Sequence, residues 1–385
     1  MLRSGLLILL KSAPVGARHA GDSLAMKILH VETGRHLYGG PQQVIYLVSA
    51  LLKRGHDCTL ICPPESGIDA AARAARIPVR NLFCAGDLDL PFAYRLAQYL
   101  QASNPDLVHC HSRRGADILG GMAASFADIP AVVSRRVDNT EMRLMAALRY
   151  RPFRKIIAIS EAIAAVLRER GVDDARIEVI RSAVDTEAVA NPADCDAFRA
   201  EFDIPADAFV IVAAGQLIPR KGHRYLLQAA ADLQHHRQLR VILFGEGYLA
   251  NQLRSQAASL GLGDTVRFAG FRADLDAYLG CFDLFVHPAL AEGLGVAALK
   301  AAAAGVAVVG FNAGGLSEAV ADGETGILVA AENVEALRIA IATMIDNDGL
   351  RQKYGAAGRK RMQNEFSIDT MVDKHLALYE SVLNG

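Results

Sequence analysis

Two adjacent cations follow an apolar run in the middle of the chain. The stretch from 215 to 222 reads Gly-Gln-Leu-Ile-Pro-Arg-Lys-Gly and ends in Arg220 and Lys221, just before a helical pattern. Guanidinium and ammonium groups at the carboxyl end of a buried strand are well placed to neutralise phosphate. Ordinary surface charge is the alternative. The position beside the strand end favours binding of a diphosphate.

A second stretch, from 287 to 295, places a carboxylate among glycines at the start of a helix of small residues that stops at Gly305. Glycines allow the backbone to approach a ligand closely, and the first N–H groups of a helix face anions. The carboxylate can accept hydrogen bonds from sugar hydroxyls. A later glycine pair repeats the arrangement. The predicted ligand-facing positions are Glu292, Gly293, Leu294, Gly295, Gly314 and Gly315.

Near the start of the chain, Gly39 and Gly40 follow the first predicted strand and precede a helix. This arrangement brings backbone N–H groups and a helix dipole toward an anion, whereas a tight turn alone would need only one glycine. A Gly-x-Gly-x-x-Gly sequence is missing there, and Gly245-Glu246-Gly247 lacks the third glycine. The pattern therefore argues against a nicotinamide-dependent dehydrogenase.

His109 and His111 lie two residues apart at the end of a strand, so both side chains point to one face of the sheet. His111 is nearer the strand end and is predicted to be catalytic or to orient substrate, while His109 is predicted to be a hydrogen-bonded core residue. A metal would need a third ligand, which the sequence does not offer nearby. No metal site is predicted. The Asp-Leu-Asp sequences at 87–89 and 274–276 are interpreted as helix caps and loop charge.

Short apolar runs alternate with amphipathic helical patterns along the chain, which is typical of parallel α/β sheets. The first set of predicted strands is Ile28–Val31, Cys58–Cys62, Leu107–Cys110, Ala131–Ser134 and Ile156–Ile159. The second set is Val210–Ala214, Val241–Gly245, Val266–Phe268, Leu284–His287 and Ala307–Phe311. We therefore predict two doubly wound, Rossmann-like domains that meet at a ligand-binding cleft, because open α/β sheets bind ligands at their carboxyl ends.

The predicted first domain spans residues 26–185 together with a final helix of about 371–385, and the second spans 186–370. A polar stretch, 185–205, carries two prolines and is predicted to be the linker. Residues 1–25 have no clear period and are interpreted as an unstructured or mis-started extension, since the apolar run Leu6 to Leu10 is too short to span a membrane. A length of 385 residues fits two domains of roughly 150–200 residues.

The charge and cysteine patterns restrict the class of protein. A formal net charge of -1 gives no overall attraction to nucleic acid, so binding to an anionic partner would need a local patch. The cysteines at 58, 62, 84, 110, 195 and 281 form no Cys-x-x-Cys pair. This spacing argues against a zinc site or a disulfide framework and favours a reduced, cytoplasmic setting.

Taken in order, these motifs resemble the large group of retaining, two-domain glycosyltransferases of GT-B fold called family 4. The resemblance covers Met26 to the C-terminus and includes Ile159 to Glu161 and Phe268 to Phe271. It implies that Gly39, Gly40 and Phe271 approach a nucleotide-sugar donor and that His111 lines the catalytic centre. It also implies that Arg220 and Lys221 hold the diphosphate, that Glu292 and the amides of Gly293 to Gly295 hold the sugar and phosphates, and that the final helix crosses back onto the first, acceptor-side domain.

Two positions depart from the family pattern. Gln216 stands where an arginine is usual, and Lys300 stands where a second glutamate normally accepts hydrogen bonds from the ribose hydroxyls. An ammonium has no acceptor, so Lys300 cannot reproduce that contact. We expect Lys300 to reach the donor with its charge and to compensate partly for Gln216. The alternative is that Lys300 extends into solvent.

These observations predict a metal-independent enzyme that moves a sugar from a nucleotide diphosphate onto a glycan or lipid-linked acceptor, in lipopolysaccharide or other cell-envelope synthesis. The acceptor is predicted to be anionic or to lie at an anionic membrane surface, with the enzyme peripheral on the cytoplasmic face. A catalytically degenerate partner subunit and a GT-B epimerase or phosphorylase are the alternatives. The cations behind the acceptor prediction are Arg113, Arg114, Arg135, Arg136, Arg143, Arg149, Arg151, Arg154 and Lys155, set against Asp138 and Glu141.

Overall fold

The computed structural model describes residues 25–111, 115–138, 141–234 and 238–385. The predicted N-terminal extension and the pair Arg113–Arg114 lie outside these residues. Two parallel sheets, each covered by helices, form two Rossmann-like domains, so the predicted GT-B architecture is confirmed.

The first sheet has the strand order β3-β2-β1-β4-β5-β6-β7, and all its pairs are parallel. Its strands are β1 (Lys27–Val31), β2 (Asp57–Cys62), β3 (Val79–Asn81), β4 (Leu107–Cys110), β5 (Ala131–Arg135), β6 (Lys155–Ala158) and β7 (Ile177–Val179). Its helices are α1 (Gly39–Lys53), α2 (Gly67–Ala74), α3 (Leu90–Ser103), α4 (Ala116–Phe126), α5 (Arg143–Tyr150) and α6 (Glu161–Glu169). Every residue of β4 is buried, as expected for a central strand covered on both faces.

The second sheet has the order β10-β9-β8-β11-β12-β13. Its strands are β8 (Phe209–Ala214), β9 (Leu239–Phe244), β10 (Val266–Gly270), β11 (Leu284–His287), β12 (Val308–Phe311) and β13 (Gly326–Val329). The helices that follow the first domain are α7 (Cys195–Glu201), α8 (His223–Leu233), α9 (Ala250–Ser259), α10 (Val296–Ala303), α11 (Leu316–Ala319), α12 (Val334–Asp346), α13 (Asp348–Glu365) and α14 (Ile368–Asn384). Short 3-10 helices occupy Asp174–Arg176, Pro219–Lys221 and Leu275–Cys281.

All ten predicted strands are present, and three further strands were not predicted. β3, β7 and β13 lie at or near a sheet edge and are only three or four residues long. Such short runs show no hydrophobic period of their own, and their pairing depends on the neighbouring strand.

The stretch near which the linker was predicted contains a helix in its second half. Residues 195–201 form α7, whose Phe198 is buried against aromatic side chains of the second domain. The prediction that argued against disulfides is wrong, because Cys195 at the start of α7 and Cys281 form a disulfide. These residues are 86 positions apart in the sequence, so their spacing gave no sign of the pair. Cys58, Cys62, Cys84 and Cys110 are free.

The final helix packs on the first domain, as the resemblance implied. α14 begins at Ile368, three residues before the predicted start, and Ser367 caps it by accepting from the Thr370 amide at 3.1 Å. It packs against α1, where Arg54 forms ion pairs with Asp369 and Asp373 of α14. The chain therefore crosses from the second domain back to the first.

Candidate active site

Both sheets have a switch point, where the strand order reverses and a crevice opens at the carboxyl ends. In the first sheet this point lies between β1 and β4, which are followed by Gly39–Gly40 and by His111. In the second sheet it lies between β8 and β11. The stretch 215–222, here called the cation stretch because it carries Arg220 and Lys221, follows β8, and Glu292 follows β11. The topology thus brings the residues predicted from sequence to one cleft.

Glu292 is the centre of a buried polar network on the second domain. Its Oε2 accepts a hydrogen bond from Lys221 Nζ, and His287 Nε2 lies 3.0 Å from the same oxygen. His287 is the last residue of β11, and Lys221 ends the short helix after β8. Two predicted catalytic residues are therefore in direct contact, and the ammonium retains further N–H donors for a ligand.

The surroundings of Glu292 keep it ionised. Burial would raise the pKa of this carboxyl, but the hydrogen bond from His287 and the charge of Lys221 together hold its pKa well below the usual range. Nearby, burial with the adjacent His287 and Lys221 lowers the pKa of His223 to about 4. The site therefore presents a carboxylate, an ammonium and a neutral imidazole at neutral pH.

Arg220 has a different environment from its neighbour. Its side chain is partly exposed and makes no hydrogen bond or ion pair with the described residues, while its backbone carbonyl accepts from the Leu290 amide at 2.8 Å. That bond ties the cation stretch to the loop that carries Glu292. Gln216 is exposed at the end of β8. Arg220 is thus free to bind a diphosphate.

The glycines around Glu292 hold two loops together. Gly295 has a φ of 87° and is the N-cap of α10. A side chain on Gly314 would overlap the Glu292 carbonyl, and one on Gly315 would overlap the Gly293 carbonyl. Leu294 is buried, so only its backbone could meet a ligand. Gly314 and Gly315 therefore pack against the loop backbone, and their contact with a donor stays a prediction.

His111 lies in a cluster of buried imidazoles on the first domain. His30 Nδ1 is 3.0 Å from His111 Nε2, and His109 contacts Tyr379 OH at 2.6 Å and Ser134 Oγ at 2.8 Å. His109 is thus the hydrogen-bonded core residue that the sequence indicated. Burial is the main cause that lowers the pKa of His30, to about 3, and those of His109 and His111.

A third imidazole, which the sequence did not offer near His109 and His111, lies beside them in the structure. His30 is the parallel partner of His109 in the sheet, and ring nitrogens of His30, His109 and His111 lie within 4.8 Å of one another. Strand register brings these residues together although they are distant in sequence. Because both nitrogens of His109 already have protein partners, the geometry suits a hydrogen-bonded cluster better than a metal site.

The two halves of the cleft touch at several points. Gly39 and Gly40 form the first turn of α1 itself, and a side chain on Gly39 would lie 3.8 Å from Val296 of α10. Glu318 on the second domain accepts from the Ala162 amide at 3.2 Å and pairs with Arg181 at 2.9 Å. Residues of the two domains therefore face each other across a narrow gap.

Lys300 forms an ion pair with Asp276, an acidic residue that was interpreted from the sequence as loop charge. Its Nζ donates to Asp276 Oδ2 at 2.6 Å, so Lys300 does not extend freely into solvent. Asp274 is the N-cap residue of the 3-10 helix that contains Asp276. Phe271, just upstream, is 60% exposed, which leaves its ring available to a ligand.

We predict that Lys300→Ala weakens nucleotide binding about 10-fold, because a charge-assisted contact is lost and Asp276 is left unpaired. Lys300→Glu alone should bind no better, since two carboxylates would then face each other, unless Gln216→Arg accompanies it. Titration calorimetry with a nucleoside diphosphate measures both, with the exposed Lys353→Ala as control. Tighter binding and faster turnover by Lys300→Glu alone would show that the lysine is a degenerate position.

Sequence reasoning missed three residues of this site. His287 shares with His111 the signal of a histidine at a strand's carboxyl end, so that signal could have found it. His223 follows the cation stretch directly. Asp276 was noticed in the Asp-Leu-Asp sequence but was interpreted as loop charge, because only the packing of its 3-10 helix against α10 brings it to Lys300.

Two facing Rossmann-like domains with these residues at their switch points define a glycosyltransferase of GT-B fold. The family model described as Glycosyltransferase Family 4 matches residues 38–188, and the one described as Glycosyl transferases group 1 matches residues 194–361. The chain belongs to this family of group 1, family 4 glycosyltransferases.

Characterised relatives align over nearly the whole chain. The lipopolysaccharide core biosynthesis glycosyltransferase LpsE of Rhizobium meliloti is 28% identical over 92% of this chain and 99% of its own length. A UDP-Gal:alpha-D-GlcNAc-diphosphoundecaprenol alpha-1,3-galactosyltransferase of Escherichia coli is 27% identical over 92% of this chain and 96% of its own length.

Solved structures show the same fold. A glycosyltransferase of Rickettsia africae superposes with a TM-score of 0.85 at 22% identity, covering 94% of this chain and all of the other. HepE of Anabaena, in complex with UDP and glucose, gives 0.83 at 23% identity, covering 92% of this chain and all of the other.

Proposed function

We propose that this glycosyltransferase moves a sugar, with retention of configuration, from a UDP-sugar to a glycan or lipid-linked acceptor in lipopolysaccharide or related envelope synthesis. The observation that carries the proposal is the contact of Lys221 with Glu292, beside the unpaired Arg220, at the switch point of the second domain. The names of the relatives LpsE and the E. coli galactosyltransferase support the acceptor class, and HepE with UDP supports the nucleotide.

In this mechanism the sugar lies beside Glu292, whose carboxylate accepts hydrogen bonds from sugar hydroxyls. The bond from the anomeric carbon to the diphosphate breaks, and the acceptor oxygen bonds to that carbon from the same face. The acceptor proton leaves with the departing diphosphate. Arg220, Lys221 and the amides that precede α10 stabilise the developing negative charge. We propose that these cations do the work of a divalent metal, so no metal is required.

The test is a screen of nucleoside diphosphates and their sugars by thermal shift, followed by transfer assays with and without EDTA. A bound donor at a hundredfold its dissociation constant should add about 2.7 kcal/mol of stability. Release of UDP that depends on an added acceptor supports the proposal. Product formed from donor alone would favour an epimerase, and binding without any turnover would favour a partner subunit.

A peripheral site at the cytoplasmic face of an anionic membrane is part of this proposal. None of the helices within the described ranges is long and apolar enough to cross a bilayer. α5 exposes apolar side chains at Leu144 (71%) and Leu148 (57%), and the exposed cations Arg143 and Arg151 lie at its two ends. Apolar and basic side chains on one exposed helix suit contact with anionic lipid headgroups.

The cation cluster predicted from sequence is smaller than expected. Arg135 and Arg149 both pair with Glu141, and Arg149 also pairs with Asp117. Two further members of the cluster, Arg154 and Lys155, donate to backbone carbonyls of Val382 and Ala175. Arg135 and Arg149 are therefore neutralised within the fold, whereas Arg154 and Lys155 keep their positive charge although each donates to a carbonyl.

We expect the protein to sediment with vesicles that contain phosphatidylglycerol, and binding should weaken as salt screens the attraction over about 8–10 Å. The double variant Leu144→Glu/Leu148→Glu should bind severalfold less, because two carboxylates replace the apolar contact. Leu88→Glu, at an exposed leucine outside α5, is the matched control. Salt-independent binding, or equal binding by the two variants, would contradict membrane contact through α5.

A further inference from the structure

Four histidines form a buried layer between the first sheet and the final helix. His30 and His109 are neighbours on β1 and β4, His111 directly follows β4, and His375 belongs to α14. We call these four residues the histidine cluster. The ring centroid of His109 lies 3.7 Å from that of His111 and 5.6 Å from that of His375, and each of the four residues is at most 3% exposed. The proposed transfer reaction makes no use of His30, His109 or His375.

The hydrogen bonds of the histidine cluster suit neutral rings. His30 Nδ1 lies 3.0 Å from His111 Nε2, a contact that needs one donor nitrogen and one acceptor nitrogen. His375 donates from Nδ1 to the Met371 carbonyl at 2.8 Å. The second ring nitrogens of His30, His111 and His375 are buried without a partner among the described residues. A second proton on one of these rings would therefore be a buried donor without an acceptor, which is unfavourable.

The charged groups around the histidine cluster also oppose protonation. The charges that act on the four rings are those of the other rings and of Arg136, which follows β5. Glu32 follows β1 and acts on Arg136, and its Oε1 accepts from the Gly34 amide at 2.7 Å. Tyr379 of α14 contacts His109 and stays neutral, because burial raises the pKa of its hydroxyl. Each proton taken up by the cluster therefore adds a positive charge beside Arg136.

The docked position of α14 thus keeps the rings neutral. Burial is the main cause that lowers the pKa of His30 to about 3 and that of His375 to about 4, and it lowers the pKa values of His109 and His111 as well. When α14 separates from the sheet, water reaches the rings, and their pKa values return toward the ordinary value of roughly 6.5. The docked form binds fewer protons than the released form. Docking is therefore strongest above roughly pH 6.5 and weakens as the pH falls below that value.

α14 is the part of this layer that can separate without breaking a sheet. β1 and β4 are central strands with a hydrogen-bonded neighbour on each side, whereas α14 is a surface helix that buries one face. Apart from its apolar contacts with α1, α14 is held by ion pairs of Arg54 with Asp369 and Asp373, which are mostly exposed. Exposed ion pairs contribute little to stability. Local opening at α14 thus costs less than opening of the sheet.

We propose that the histidine cluster is a proton-sensitive latch, in which protonation of its imidazoles in mild acid releases α14 from the first domain. Release frees the segment that carries the chain from the second domain back to the first. The latch follows from the packing of α14 on the first sheet. It goes beyond the proposed transfer reaction and does not depend on the identity of the donor or the acceptor.

Hydrogen exchange followed by mass spectrometry tests the latch, because it gives the opening constant of α14 once the intrinsic exchange rates are corrected for pH. Between about pH 7.5 and about pH 5, we expect this constant to rise at least about 30-fold in the wild type. That is the change for one imidazole whose pKa rises from about 4 to roughly 6.5 on release. Each further ring that gains a proton multiplies the rise. α12, a helix of the second domain without histidine, is the internal reference and should change little.

The variant His375→Phe keeps a ring in the histidine cluster but cannot take up a proton. The rise in its α14 opening constant should be about 30-fold smaller than in the wild type, because one imidazole no longer titrates. His36→Phe, at an exposed histidine outside the cluster, is the matched control and should show the wild-type rise. Should His375→Phe not fold, His375→Gln replaces it, since the amide can still donate to the Met371 carbonyl.

The proposal is overturned if the wild type has the same α14 opening constant at both pH values, or if the His375 variant keeps the wild-type rise. It is also overturned if α12 opens to the same extent as α14, because that result indicates general unfolding in acid. No substrate enters the measurement, so its outcome is independent of whether the protein transfers a sugar.

Discussion

Arg220→Ala should lower turnover at least about 10²-fold and leave the melting temperature unchanged. Its guanidinium makes no bond to the described residues, so removing it costs the fold little, whereas the departing diphosphate loses a preorganised cation. Lys221→Ala should lower turnover to a similar extent and should also destabilise the protein, because the buried Glu292 carboxylate loses its ammonium partner.

The measurement is kcat and KM for the donor, with melting temperature recorded for each variant. Arg338→Ala, which removes a partly exposed cation paired with Glu335 on α12, serves as control and should change none of these quantities. Unchanged turnover in both Arg220→Ala and Lys221→Ala would reject the assignment of the diphosphate site. Loss of stability in Arg220→Ala would instead indicate a structural role.

Glu292→Gln should reduce both activity and stability. The side chains of Glu292 and Lys221 are 13% and 14% exposed, and breaking such a buried pair from one side costs about 3–5 kcal/mol. We also expect turnover to fall about 10²-fold or more, because the carboxylate that contacts Lys221, and that we propose faces the sugar, is lost. Urea unfolding at neutral pH and steady-state kinetics measure the two effects, with the exposed Glu335→Gln as control.

We also predict how the stability difference between the wild type and Glu292→Gln depends on pH. The folded-state pKa of Glu292 is depressed, so its stabilising contribution is complete above the unfolded value of roughly 4.3 and declines as pH falls toward the folded value. The stability difference between wild type and Glu292→Gln should therefore shrink in acid below about pH 4. A difference that grows on acidification would contradict the assigned charge state.

The sequence predicted the strands and their carboxyl ends well, because each buried strand is a continuous apolar run that local pattern reveals. His111, Lys221 and Glu292 were found in this way, since each follows such a run within a few residues. The contacts among them were not predictable. His30 meets His109 through strand register, and Lys300 meets Asp276 through helix packing, so both pairs depend on tertiary structure.

The cation cluster also shows that sequence alone does not reveal tertiary contacts, because it does not show which charges are paired. Composition indicated a basic surface around residues 135–155. In the structure, however, Arg135 and Arg149 form ion pairs with Glu141, and Arg149 also pairs with Asp117. Only the three-dimensional structure distinguishes a cation that is paired inside the fold from one, such as Arg151, that is exposed. Charge counting therefore overestimated the number of cations available to an anionic partner.

Glu318 links the second domain to the first through both of its carboxylate oxygens. One of its oxygens accepts from the first turn of α6, and the other pairs with Arg181, both across the cleft. Any separation of the domains must break these bonds and leave one amide of α6 without that acceptor. Every 1.4 kcal/mol that these bonds contribute multiplies the ratio of closed to open molecules about tenfold, so this single side chain contributes to how firmly the two domains are held together.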